Sequence, residues 1–313
     1  MFGQLHSATP YPLCARDPPP ATVGIIRSKG SRMSRGIKKW TDALIEQRQR
    51  SGYGEGTGAT YKSWINTADY PSRGRIRRAY SPKFGRTIHL MSDIEWHTFL
   101  LLEYSESVDE LYEQFPMERD VTLQIAAALG ITHPYYSGTH VPTVMTLDFL
   151  TLSRRTGILR AFDVNTVLIA EDRRSIEKLQ IARAYCTGRS VSHHLIFDSK
   201  LPIAKIRNIE WIRSGLLMDG EIEPYPEYLH EKAQLMAHEL TSTARHNISL
   251  SQYCTGFDVR HGLESGVGLR VAKILIWNKT LRCDINNPDL PSAPLLSFLR
   301  PTPHGNKREA GAS

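Results

Sequence analysis

Residues 144–170 read VMTLDFLTLSRRTGILRAFDVNTVLIA, two runs rich in leucine, valine and phenylalanine separated by the polar RRTG. Apolar runs of this length around such a break predict a β-hairpin with its turn at 154–157. With Arg155 and Thr156 at the tip, Asp148 falls opposite Asp163, and the two-residue period of a strand puts Asn165 on the Asp163 face. Upstream, SDIEWHTFLLLEY at 92–104 predicts a helix with Ile94, Phe99, Leu101 and Leu102 as apolar positions. Its Ser92-x-x-Glu95 start fits a capping box. Residues 108–117 read as a strand stopped by proline, and 121–131 as a helix closed by Gly130. Downstream, Asp172 caps a predicted helix ending at Gly188, 191–198 reads as a strand and 206–217 as a further helix. The order helix, strand, helix, hairpin, helix, strand predicts an α/β fold, a mixed sheet flanked by helices.

Near the N-terminus, residues 38–50 predict a short basic helix, and the alternating glycines of SGYGEGTG predict a flexible linker. The acidic, turn-rich DGEIEPYP at 219–226 marks a boundary. Beyond it come a helix at 227–241, then a helix–turn–helix and a short strand at 281–285, the outline of a small helical, winged-helix-like domain. The expected organisation is a tail at 1–35, a first domain at 36–219, a helical domain at 220–300 for partner or DNA contact, and a second tail at 301–313.

Composition sharpens this picture. The chain has 313 residues, 41% of them hydrophobic, enough for more than one core. No apolar run is long enough to span a bilayer, and the N-terminal stretch lacks a signal-peptide core, so the expectation is a cytoplasmic protein with no membrane partner. Cys14, Cys186, Cys254 and Cys283 are far apart in sequence and read as reduced thiols. Residues 1–90 hold 16 Lys or Arg against 5 Asp or Glu, whereas 91–313 hold 23 against 27. The densest part, 71–90, carries Arg73, Arg75, Arg77, Arg78, Lys83 and Arg86 with no acid among them. Guanidinium groups donate paired hydrogen bonds to phosphate, so this stretch is a candidate DNA contact. A solvated basic loop is the plainer alternative.

The candidate chemistry lies in the hairpin. Directly opposed residues of an antiparallel pair have Cβ atoms roughly 5 Å apart, so Asp148 and Asp163 repel unless a cation sits between them. Two solvated aspartates, and a Glu95 that only caps its helix, are the alternatives from these residues alone.

SDIEWHTFLLLEYSESVDELYEQFPM, VPTVMTLDFL, the hairpin and SIEKLQIARAYC together resemble the TnsA family, the endonuclease subunit of heteromeric transposases. GATYKSWINTADYPSRGR, the IEW at 209–211 and the helical C-terminal region resemble it too, so the likeness runs from about residue 36 to 298. The resemblance implies a restriction-endonuclease-like (PD-(D/E)XK-type) domain followed by a helical C-terminal domain. It implies divalent-metal hydrolysis of DNA at transposon 5′ ends, beside a DDE-type (TnsB-like) transposase and an AAA+ ATPase (TnsC-like) regulator. Carried over by position, its catalytic set is Glu95, Asp148, Asp163 and Asn165. The implied ligands of Mg²⁺ or Mn²⁺, as two ions, are Glu95, Asp148, Asp163 and the carbonyl of Val164.

One position departs from the family, which has a lysine where this chain has Asn165. Asparagine supplies no positive charge. Three accounts follow: Lys178 on the next helix supplies the charge, the protein is a weakened nuclease acting as a scaffold without cutting, or the change was introduced to trap uncut DNA.

Overall fold

The computed structural model describes residues 39–67, 69, 76–167, 172–242 and 248–298. The expected tails and Cys14 lie outside these residues. The first helix, α1 (Asp42–Arg50), starts later than the sequence pattern suggested because the Thr41 side chain caps it, accepting from Leu44 N. The glycine-rich stretch after it is a packed turn and not a free linker. Gly54 N donates to Lys62 O, and a Cβ on Gly54 (φ +83°) would lie 2.3 Å from Pro116 Cγ. At Gly56 (φ +94°) a Cβ would lie 2.6 Å from Thr60 O. Glycine is needed there for close approach, not for looseness.

The second half of the basic stretch is also more ordered than expected. Residues from 77 on form an antiparallel hairpin, β1 (Arg77–Ser81) and β2 (Arg86–Leu90), whose inward residues Ile88 and Leu90 are fully buried. Helix α2 (Asp93–Tyr104) follows at once. Then come β3 (Glu110–Pro116), α3 (Arg119–Ala128), β4 (Thr146–Ser153), β5 (Ile158–Asn165), α4 (Arg173–Gly188), β6 (Ser192–Phe197) and α5 (Ile203–Arg213).

The main sheet runs β3-β4-β5-β6, with the first two pairings antiparallel and β5–β6 parallel. It is the mixed sheet flanked by helices that the element order predicted. The β4–β5 register pairs Phe149 with Phe162 and Leu150 with Ala161, which places Asp148 across from Asp163 as expected. One face, with Tyr112, Leu150 and Ala161, packs on Ile181, Ala182 and Tyr185 of α4. The other, with Leu111 and Phe149, packs on Phe99 and Leu100 of α2 and Ile206 and Ile209 of α5. Asp148, Asp163 and Asn165 share the α4 face by strand period.

The C-terminal region is helical: α6 (Tyr228–Ser242), α7 (Leu250–His261) and α8 (Val267–Trp277), around a core that includes Met236, Phe257 and Val271. The expected strand at 281–285 is absent. The chain there is held as an irregular segment, because Asn208 Nδ2 donates to Ile285 O (2.8 Å) and Asn287 O (2.6 Å). Helix α5 belongs to both halves. Arg213 Nε donates to Glu103 Oε2 of α2 (2.6 Å), while Ile212 joins the C-terminal core. The described residues all fall in one compact unit.

Candidate active site

Asp148 and Asp163 stand where the β4–β5 ladder gives way. Each carboxylate bonds backbone on the facing strand: Asp163 Oδ1 accepts from Asp148 N (3.1 Å), and Asp148 Oδ2 accepts from Val164 N (2.8 Å). Val164, named above for its carbonyl, contributes its N–H here. The second oxygen of Asp163 lies 2.8 Å from His193 Nε2. His193 stands near the start of β6. The parallel register sets it beside Ala161, one strand over and on the face that carries Asp163.

Glu95 sits in the first turn of α2, and its capping role is partly real. Ser92 Oγ accepts from Glu95 N, but the carboxylate reaches one residue further back, accepting from Met91 N (2.8 Å) and Ser92 Oγ (3.2 Å). Its link to the aspartates is Gln114 of β3, whose Nε2 lies 3.4 Å from both Glu95 Oε2 and Asp148 Oδ1. Gln114 is buried, and sequence patterning gave no reason to single it out. Each of the six carboxylate oxygens therefore has a protein donor. Among the described residues, no three acidic, histidine or cysteine side chains are gathered tightly enough to cage an ion as they stand.

Electrostatics nevertheless ties the acids together. Burial pushes Glu95 up to about 7, against the bonds from Met91, Ser92 and Gln114. Asp148 is partly exposed, yet protein surrounds it closely enough that lost hydration raises its carboxyl well above the usual range, with Glu95 and then Asp163 adding repulsion. Hard oxygen donors that repel one another are the chemistry that suits Mg²⁺ or Mn²⁺, so in donor type, though not in their present spacing, the residues suit such an ion.

The aspartates open onto a cavity of about 380 Å³ between the sheet end and α4, lined also by Asn165, Ser175, Lys178 and Tyr136. Glu95 and Gln114 do not line it. Lys178 is exposed and, among the described residues, makes no hydrogen bond or ion pair, so its ammonium is available at the wall of the cavity that Asn165 also lines.

The six candidate DNA contacts separate. Arg73 and Arg75 lie outside the described residues. Arg86 is buried, ion-paired to Glu113 (2.6 Å) and donating to Leu111 O (2.7 Å), so it faces the protein and not a phosphate. Lys83 Nζ donates to Glu103 O (2.9 Å) and Ser105 O (2.6 Å) at the end of α2. Arg77 pairs with Asp93 (3.0 Å) over the Trp96 ring. Arg78 is exposed.

Among the described residues no helix is long and apolar enough to cross a membrane. Residues 105–198 match the TnsA-like endonuclease N-terminal family, and residues 201–285 match the TnsA endonuclease C-terminal family. The transposon Tn7 transposition protein TnsA of Escherichia coli is 32% identical over 256 residues, covering 81% of this chain and 90% of that one.

Proposed function

The chain belongs to the TnsA endonuclease family of Tn7 transposition, and on that premise we propose that it cuts DNA at transposon 5′ ends with Asp148, Asp163 and Glu95 as its acidic centre. The observation that carries the reading is the meeting of Asp148 and Asp163 at the cavity wall, with Glu95 joined to Asp148 through one amide. Glu95, Asp148 and Asp163 would hold Mg²⁺ or Mn²⁺, with the Val164 carbonyl as a further ligand. Such an ion would ease the deprotonation of a water into a nucleophile for phosphorus and would stabilise the leaving oxyanion.

The chain's own residues have separate tasks. His193 fixes one oxygen of Asp163, leaving the carboxylate little freedom to rotate. Lys178 brings the positive charge that Asn165 lacks toward the scissile phosphate. Arg78 contacts the backbone of transposon-end DNA, with Arg73 and Arg75 as further candidates, and the helical C-terminal region meets the DDE-type transposase and the ATPase regulator. A second reading, a scaffold that binds ends and partners without cutting, is favoured by the neutral Asn165.

Cleavage of transposon-end DNA with the partner transposase and Mg²⁺ separates the two. The nuclease reading expects 5′ cuts that Asp148→Ala abolishes. Complexes that assemble yet never nick, in Mg²⁺ or Mn²⁺, would leave only the scaffold.

A further inference from the structure

We propose that Gln114 is a positioning residue of the acid site whose side-chain amide turns over when a divalent cation binds, exchanging its NH₂ group for its carbonyl oxygen. The inference rests on the metal-dependent reading above. The Gln114 NH₂ lies between Glu95 and Asp148, 3.4 Å from an oxygen of each, so a neutral donor holds two repelling acids together. Its own Oε1 accepts from Thr146 Oγ1 (3.2 Å). A hydroxyl both donates and accepts, so Thr146 serves either end of the amide, and turning it over leaves that bond intact. The turned amide presents a carbonyl oxygen, a ligand type that suits Mg²⁺ and Mn²⁺.

The backbone supports a specialised position. Gln114 falls between the ladder pairs Glu113–Phe149 and Phe115–Leu147, which sets it opposite Asp148. Its φ is +49°, rare for a residue with a long side chain, and its carbonyl turns away to accept from Trp64 N (3.3 Å). Such conformations cluster where function requires them.

The test is Mn²⁺ binding to the full chain, followed by the electron paramagnetic resonance of free Mn²⁺, for wild type, Asp148→Asn, Gln114→Met and Gln114→Glu. The expected result is binding by wild type, its loss in Asp148→Asn, and affinity about tenfold or more weaker in Gln114→Met. Gln114→Glu should bind at least as tightly as wild type while melting lower without metal, since it adds a fourth acid. Wild-type affinity in Gln114→Met would overturn the proposal alone. Absence of Mn²⁺ binding by wild type would overturn the metal reading and this proposal with it. Should Gln114→Met not fold, the Gln114 side-chain NH₂ resonances in wild type decide: Mg²⁺ should shift them as their carboxylate partners are lost. Unshifted resonances under saturating Mg²⁺ would refute the turnover.

Discussion

Replacing Glu95 with glutamine should flatten the dependence of stability on pH in the metal-free protein. Burial raises the Glu95 carboxyl from 4.5 to about 7. Below 4.5 the group is protonated whether the chain is folded or not. As pH climbs from 4.5 toward 7 the unfolded chain releases its proton first, while the native state still binds it. Stability therefore falls through that window and levels off above it. At 1.36 kcal/mol per unit, the loss assignable to Glu95 is about 3 kcal/mol. The substituted amide would keep the side-chain volume and an acceptor for Met91 N while carrying no charge. The assay is urea unfolding of wild type and Glu95→Gln, with chelator present, at about pH 5 and about pH 8. Wild type should lose roughly 2 to 3 kcal/mol more than the variant across that interval, part of the loss being complete by about pH 5. Parallel profiles would show that Glu95 ionises freely, and the electrostatic account of the site would fail.

Arg86→Met strands the buried Glu113 and should cost about 3–5 kcal/mol in a denaturant melt. Arg78→Ala should leave the melt unchanged but lower the slope of log affinity against log salt for end DNA by roughly 0.9, one phosphate contact. Gly54→Ala should destabilise by more than about 1 kcal/mol, because its backbone and Pro116 both exclude a methyl group. Lys178→Ala should slow 5′ cleavage on the order of 10²–10³-fold if Lys178 carries the missing charge, and Asn165→Lys in that background should restore it. An unslowed Lys178→Ala enzyme would return the charge to some other group.

Local pattern was enough for the hairpin because a strand period and a four-residue turn fix its register, and hence the Asp148–Asp163 opposition. The helices carrying Glu95 and Lys178 were legible from Ser92 and Asp172, whose side chains do cap them. The β1–β2 hairpin was hidden because Arg86 takes an inward position on the same face as Ile88 and Leu90, and Arg77 and Arg78 stand side by side, so cation density breaks the apolar alternation. The same density gave no sign that Arg86 turns inward to Glu113. Gln114 and His193 could not be found locally. One reaches the site through the β3–β4 register and the other through the parallel β5–β6 pairing, both set by contacts between distant segments.

Anomalous diffraction from a crystal of the protein grown with Mn²⁺ bears most directly on the acidic centre. The account predicts a peak within coordination distance of Asp148 and at least one of Glu95 and Asp163, absent in Asp148→Asn. A map with Mn²⁺ elsewhere and none at these carboxylates would contradict it.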